Sequence, residues 1–541
     1  MLGVPGNLSL NETIRLFQDT QAAGLIVFRR NFPNAAGFRT WLSALENALE
    51  RRLLVAVDHE GGRVIHLQEG VTYFPDNLAL GWTGSEEYAR RQGEMEAAEL
   101  RRLGIDLNLA PTLDVLTAAY SPNIGIRSYG KDAQLVSRLG TARIRAMQAG
   151  GLSACAKHFP GQGQSSLDAH LDLPVLPTDK KEFDAIHSLP FKAAIQAGVD
   201  TVMTSHPVYS ALDPSAKIPA TFSRTIAHGF LREELGFQGV ILSDDLEMGA
   251  LKHFGNIGNS AVQAVKAGHD MILICSDPAA AREAAQKLTQ AYSEKEIPMR
   301  ELEASCERLQ RLLAKREERF SGPVAFAEPQ GKPLALKIAQ AGLMRWQTAE
   351  GQTPAGKMHE DEKTLVLYPR ISVLGERIAM EPEMQNDEAF IRQLFESAKG
   401  VFSFLTLALD PDMEEQEAIL QAAAGAGQTL FFCFDPHLYP ASRKLLNALE
   451  EKIPNLTVIF LRDPFGADLL AKKTPYFYAF GFRSAQIRAA VNFFCHPESF
   501  YCHSEQSEES RAQDKLRRIP LRDSSPLTNA SRTQNDKGTE P

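Results

Sequence analysis

Between residues 157 and 174 the chain reads Lys157-His158-Phe159-Pro160-Gly161-Gln162-Gly163, then Asp168-Ala169-His170, then Leu173-Pro174. Gly161 and Gly163 come after a proline and flank a single residue, so the backbone can turn sharply and carry the next residues as a surface loop. On that loop a carboxylate and an imidazole stand two residues apart. At this spacing Asp168 reaches one ring nitrogen of His170 and leaves the other to handle a proton, and its charge favours the protonated ring. The chemistry on offer is general acid–base catalysis.

Three other readings compete. A dinucleotide-binding Gly-x-Gly-x-x-Gly needs a third glycine where this chain has Ser166. Asp168, His170 and Asp172 carry metal-ligating atoms, but no second cluster nearby matches them, and neither a metal nor any other cofactor is expected. A purely structural Asp–His pair is the ordinary reading of an isolated couple. The rest of the chain argues against it.

Positioning such groups requires a scaffold. Short apolar runs at Gly24 to Phe28, Leu53 to Val57, Ile105 to Leu109, Leu152 to Ala156, Thr201 to Thr204, Val240 to Ser243 and Met271 to Ile274 predict buried parallel strands. Amphipathic stretches such as Glu86 to Leu103 and Ala279 to Tyr292 predict the helices between them. This many β-α units in roughly 300 residues predict a (β/α)8 TIM-type barrel. Polar residues come directly after several strands: Asp58-His59-Glu60-Gly61-Gly62-Arg63 after Val57, Lys157-His158 after Ala156, Ser205-His206 after Thr204, and Ser243-Asp244-Asp245 after Leu242. The C-terminal ends of barrel strands are where this architecture builds active sites. Asp244 is the strongest of these. It could cap a helix starting at Leu246-Glu247-Met248, but Asp245 can take that part, leaving Asp244 to face the barrel mouth as a nucleophile.

Composition narrows the class. The 541 residues are 44% hydrophobic and 23% charged, enough for large cores and at least two domains. A formal net charge of -9 disfavours nucleic acid and anionic membrane as partners. No apolar run is long enough to span a bilayer, and Met1-Leu2-Gly3-Val4-Pro5-Gly6 has no basic, cleavable leader. Cysteines at 155, 275, 306, 433, 495 and 502 form no Cys-x-x-Cys pair, which predicts reduced thiols and a cytoplasmic protein.

Ala56 to Val64, Asn123-Ile124-Gly125-Ile126-Arg127-Ser128-Tyr129-Gly130, the Lys157 to Pro174 block, Pro219-Ala220-Thr221-Phe222-Ser223 and Gly239 to Met248 occur in an order that resembles family 3 glycoside hydrolases. The Asp-x-His loop after Lys-His-Phe-Pro-Gly resembles the β-N-acetylhexosaminidase branch, and the likeness covers most of residues 1 to 320. It implies Asp244 as catalytic nucleophile, His170 as general acid/base and Asp168 as its orienting partner. It also implies that Asp58, Arg127, Lys157 and His158 hold the hydroxyls and the acetamido-bearing sugar. Without the likeness, Lys157 and Arg127 would read as ordinary ion-pair residues. The implied reaction is retaining hydrolysis of terminal β-linked N-acetylhexosamine, with histidine in place of the usual second carboxylic acid. The implied substrate is a small β-N-acetylglucosaminide derived from muropeptides, and the setting cell-wall sugar recycling. Phosphorolysis or β-glucosidase action on the same scaffold, and an inactive sugar-binding protein, are the alternatives. Departures from the family pattern are His66, eight residues after Asp58 where arginine is common, together with Gln162 and Gln164. Leu2 to Gly6 reads as the end of a first barrel strand whose beginning is absent.

The barrel is expected over 1–320 and a linker over 321–334, marked by Ser321-Gly322-Pro323 and Glu328-Pro329-Gln330-Gly331. Strands at Thr364 to Tyr368, Val401 to Leu407, Thr429 to Phe434 and Thr457 to Leu461 alternate with helices at Glu414 to Ala424 and Ser442 to Lys452, predicting a C-terminal α/β sandwich over 335–498. It resembles the domain that many family 3 hydrolases append, and no catalytic motif is evident in it. Residues 499–541 are polar and mixed in charge, and are expected to be disordered. The sequence does not define an oligomeric state.

Overall fold

Seven short strands lie side by side in chain order, all parallel: β1 (Gly24–Val27), β2 (Leu54–Val57), β3 (Leu107–Asn108), β4 (Ser153–Phe159), β5 (Thr201–Thr204), β6 (Val240–Asp245) and β7 (Met271–Leu273). The computed structural model describes residues 1–32, 34–118, 120–167, 172–176, 178–214, 217–317, 329–345, 362–462, 464–471 and 474–496. Each of the seven predicted runs is one of these strands. The cylinder closes through Leu2, which bridges in parallel to Leu25 of β1 and to Ile274 just past β7. Leu2 N–H donates to Gly24 O at 2.9 Å, and Gly3 N–H donates to Ile274 O at 2.9 Å. The eighth stave of the barrel is thus a single bridging residue. A Cβ on Gly3 would lie 2.1 Å from the Cys275 carbonyl oxygen, so only glycine lets the chain run this close to the seam.

Side chains alternate along these strands, as pleating requires. Ile26, Leu54, Ala56, Cys155, Met203 and Leu242 form one buried cluster inside the barrel. Leu25, Val55, Val57, Ala154, Val202 and Ile241 belong to a second, outside it, packed with the surrounding helices. Burial on both faces explains why the strands read as unbroken apolar runs.

The helix predicted at Glu86 to Leu103 spans those residues; Ser85 Oγ accepts from Tyr88 N–H at 3.2 Å, and Gly104, with φ of 91°, ends it. Pro278–Ser293 extends the other prediction by a residue at each end, behind an Asp277 cap. The predicted helical start at Leu246-Glu247-Met248 is corrected. β6 runs to Asp245, a turn comes next, and helical structure resumes at Gly249–Phe254 and Ile257–Ala267. The physical reason is Glu247. Its carboxylate accepts from Cys275, Ser276 and Asp277 N–H at 2.6, 2.6 and 2.9 Å, tying the loop after β6 to the loop after β7.

A second sheet has the order β8 (Met344–Arg345), β13 (Tyr476–Tyr478), β12 (Leu456–Phe460), β11 (Gln428–Cys433), β9 (Lys363–Pro369) and β10 (Val401–Leu407). Only the β8–β13 pair is antiparallel. Helices Asp387–Leu394, Met413–Ala424, Pro440–Lys452 and Ser484–Cys495 accompany it, giving a layered α/β domain. Of the stretch expected as linker, 318–328 lie outside the described residues, and a helix begins at Lys332 whose Leu334, Ala335 and Ile338 join the barrel's outer core. The tail over 499–541 also lies outside the described residues. Residues 1–495 form one compact unit. No helix among the described residues is long and apolar enough to cross a membrane. Cys155, Cys275, Cys306, Cys433 and Cys495 are all free thiols.

Candidate active site

Two residues beyond the inward-facing Ala56, Cys155 and Leu242 come Asp58, Lys157 and Asp244, so strand parity alone directs three charged side chains to the barrel mouth. Lys157 Nζ lies 2.5 Å from Asp58 Oδ1 and 2.6 Å from Glu60 Oε1. Arg127 grips Glu60 with two parallel bonds, Nε to Oε2 at 2.8 Å and Nη2 to Oε1 at 2.7 Å. Thr112 Oγ1 donates to the same carboxylate at 3.1 Å. Glu60 is therefore the hub, although the sequence alone gave it no role. Burial alone would raise its pKa, but the Arg127 and Lys157 charges outweigh burial and hold it well below the usual range. The same attraction overcomes the effect of burial on the cations, raising the pKa of Lys157 through Asp58 and Glu60 and of Arg127 through Glu60.

This arrangement balances two carboxylates against two cations in a low-dielectric setting. Lys157 and Glu60 keep 2% of their side-chain surface accessible and Asp58 keeps 19%, so Asp58 is the acid left open to a ligand. A carboxylate and fixed cationic donors side by side suit a polyhydroxylated substrate, because each hydroxyl both donates and accepts.

His158 extends the cage. Its Nδ1 is 2.7 Å from Asp114 Oδ2, and its Nε2 is 3.2 Å from Arg127 Nη2. A guanidinium only donates, so Nε2 is the acceptor and the hydrogen on Nδ1 goes to Asp114. The other Asp114 oxygen accepts from Gln162 N–H at 2.6 Å, fixing the start of the glycine loop. Tyr209 OH donates to Gly161 O at 3.1 Å and pairs with Ser205 Oγ at 2.9 Å. Asp114, like Glu60, has no role that the sequence alone assigns. The one signal for it is a carboxylate a few residues beyond the end of β3.

On the opposite side of the mouth, half-buried Asp244 accepts from Asp245 N–H at 2.8 Å. Asp245 takes the Glu247 N–H at 3.1 Å, and burial, with the nearby charges of Glu247 and Asp244, pushes its carboxyl up to about 7. His206, just past the end of β5, holds Thr221 Oγ1 at 2.7 Å and approaches the Asp245 carbonyl at 2.9 Å, so it braces the strand end. His66 is half-buried with its ring edge-on to Phe28 at 5.2 Å, and burial lowers its pKa. The structure thus brings Asp58, Lys157, Arg127 and His158 together at the mouth of the barrel that also carries Asp244. Asp168 and His170 lie outside the described residues.

A closed parallel barrel with charged groups gathered at its strand C-termini has the layout of a barrel enzyme. The glycosyl hydrolase family 3 N-terminal domain model matches residues 3–312. The chain belongs to that family and is a glycoside hydrolase. It is 38% identical over 286 residues to a β-hexosaminidase of Thioalkalivibrio sulfidiphilus, covering 51% of this chain and 80% of the relative. A β-hexosaminidase of Thiobacillus denitrificans is 36% identical over 294 residues, covering 53% and 81%. Among solved structures, a family 3 β-N-acetylglucosaminidase from Paenibacillus sp. superposes with a TM-score of 0.83 at 30% identity, covering 91% of this chain and 95% of that one. That match extends the likeness from the barrel to the second domain.

Proposed function

We propose that this protein is an exo-acting, retaining β-N-acetylhexosaminidase that removes terminal β-linked N-acetylglucosamine. The observation that carries the reading is the neutralised Asp58–Lys157–Glu60–Arg127 cage, set at the mouth of a barrel whose relatives are named β-hexosaminidases. In the proposed reaction the Asp244 carboxylate attacks the anomeric carbon as the bond to the aglycone oxygen breaks, and His170 gives that oxygen its proton. Water then attacks the anomeric carbon of the glycosyl ester while His170 takes the water proton, releasing the sugar and restoring Asp244. Asp168 holds His170. Asp58, Arg127, Lys157 and His158 receive the sugar. The proposed setting is recycling of cell-wall fragments, with a muropeptide-derived glycoside as substrate. As a domain plan, this reading assigns catalysis to residues 1–320 and no reacting group to 335–498.

The test is release of 4-nitrophenol from the β-N-acetylglucosaminide and the β-glucoside, with and without phosphate, by wild type and Asp244→Ala. Asp244-dependent cleavage of the acetamido sugar in phosphate-free buffer is the expected result. Accumulation of a sugar 1-phosphate would replace hydrolysis by phosphorolysis, and activity on the glucoside alone would overturn the substrate assignment.

A further inference from the structure

The cage is held from outside the barrel. Glu60 lies in the short strand His59–Gly61, which pairs antiparallel with Val64–Ile65. Gly62 and Arg63 make the turn, Gly61 and Gly62 take φ of +98° and +50°, and a Cβ on Gly62 would fall 1.9 Å from Asp76 Cγ. The second domain grips this hairpin at two points. Fully buried Arg483 donates through Nε to Gly62 O at 2.5 Å, and through Nη1 to Ala379 O at 2.7 Å and Glu381 Oε2 at 3.1 Å. Ala379 N–H in turn donates to Ile65 O at 3.1 Å.

The loop that carries Arg127 is gripped the same way. Arg462 pairs with Asp435 at 2.6 Å and reaches Pro122 O at 3.4 Å. Tyr120 stacks on His437 with centroids 5.0 Å apart. Ile126, the residue before Arg127, is 1% exposed and shares an apolar cluster with Leu367, Phe431 and Phe480 of the second domain. Arg63 cross-links the two loops, donating to Pro122 O at 3.1 Å and to Asn123 O, while its N–H bonds Asp76 at 3.0 Å. Asp244 stands apart from this frame, since β3, β4 and β5 separate β6 from β2 in the barrel.

We infer that Arg483 and Arg462 are positioning residues for sugar binding: from the second domain they fix the Glu60 hairpin against the Arg127 loop, and so set the geometry of the cage. The inference rests on the functional reading above only for the identity of the sugar. Weakening one hydrogen bond from a charged group to the sugar costs roughly 10- to 100-fold in affinity. The frame therefore governs affinity, while the nucleophile's strand works independently of it.

The experiment uses the full chain with Arg462→Ala, Arg462→Lys and Arg483→Lys. KM and kcat are measured on 4-nitrophenyl β-N-acetylglucosaminide, N-acetylglucosamine binding by calorimetry, and backbone hydrogen exchange on the sugar-free protein. Arg462→Ala and Arg483→Lys are expected to raise KM and the N-acetylglucosamine Kd about tenfold with kcat within about threefold, and Arg462→Lys to recover part of the loss. Exchange should accelerate at residues 59–65 and 123–128 and stay unchanged at 240–245. Unchanged Kd, a fall in kcat alone, or exchange that accelerates throughout or nowhere would overturn the inference. If wild type neither binds nor cleaves the acetamido sugar, the functional reading fails, and the exchange pattern still decides whether the second domain holds the cage.

Discussion

Replacing Glu60 with glutamine leaves the shape of the cage intact and removes one of the two negative charges that balance Arg127 and Lys157. The glutamine amide also turns a donor toward cations that only donate. Removing one partner of a buried ion pair costs about 3–5 kcal/mol, and the lower end applies because Asp58 still pairs with Lys157. At about 2.1 cal/mol/K per residue, a barrel spanning residues 3–312 shifts by roughly 1.5 °C per kcal/mol, so Tm should fall by about 5 °C. Misdirected Arg127 and Lys157 should lower kcat/KM on 4-nitrophenyl β-N-acetylglucosaminide by about 100-fold, the equivalent of one lost hydrogen bond to a charged group. The pH dependence carries a sign. Because the folded pKa of Glu60 is depressed, its stabilisation is fully present above the unfolded value of about 4.3 and is lost as pH falls toward the folded value. The difference in Tm between wild type and Glu60→Gln, tracked by circular dichroism, should hold constant from about pH 8 to 5 and shrink only in stronger acid. A variant that melts within about 1 °C of wild type at neutral pH and keeps its kcat/KM would refute the hub role.

Three further outcomes rest on the geometry and a fourth on the proposed mechanism. Asp114→Asn leaves one oxygen where two are used and turns an NH2 donor toward either the His158 ring N–H or Gln162 N–H, so kcat/KM should fall about 10- to 100-fold with KM bearing most of it; unchanged kinetics would exclude His158 orientation from binding. Arg143 and Glu96 are each 0% exposed and paired at 2.6 Å, so Arg143→Ala should cost about 3–5 kcal/mol in denaturant unfolding, and Arg143→Met with Glu96→Leu should recover only part of it, because Arg143 also serves Asn77 Oδ1 and the Glu60 carbonyl. Equal loss in the single and double variants would contradict that. Asp245 has a raised folded pKa, so its ionisation destabilises the fold as pH climbs to about 7; Asp245→Asn should gain Tm over wild type across that range and level off above it, and a pH-independent difference would place its titration elsewhere. Under the proposed mechanism Asp168→Ala should slow turnover and shift its pH profile, whereas an unmoved profile would remove Asp168 from proton transfer.

The barrel was legible because both faces of its strands are buried, which writes each as a bounded apolar run. Less legible were elements of one to three residues. The stave expected over Leu2 to Gly6 narrows to bridges at Leu2 alone, and Met344–Arg345 and Tyr476–Tyr478 are too short to leave a periodic signal. Charged groups divided in a similar way. Asp58, Lys157 and Asp244 announce themselves by their places at the ends of apolar strands, but Glu60 and Asp114 gain meaning from partners 67 and 44 residues away, Arg127 and His158. Charge counting would have found Glu60, since two cations at a buried site need a second carboxylate. The Leu246-Glu247-Met248 stretch misled because helix-favouring residue types were outweighed by three N–H groups from the loop after β7.

The seam at Leu2 also governs the order of events during synthesis. Leu2 and Ile274 are separated by about 270 residues, so the cylinder cannot close until Ile274 has left the ribosome. At about 5–20 residues per second, Leu2, already within reach of Leu25 on β1, waits roughly 15–50 s for its neighbour on the other side. An open edge of buried-type strand is a template for the wrong partner. The nascent chain is therefore exposed to misassembly for a period set by translation speed, and slowing elongation ahead of Ile274 should lower the yield of soluble enzyme even where every native contact is unchanged.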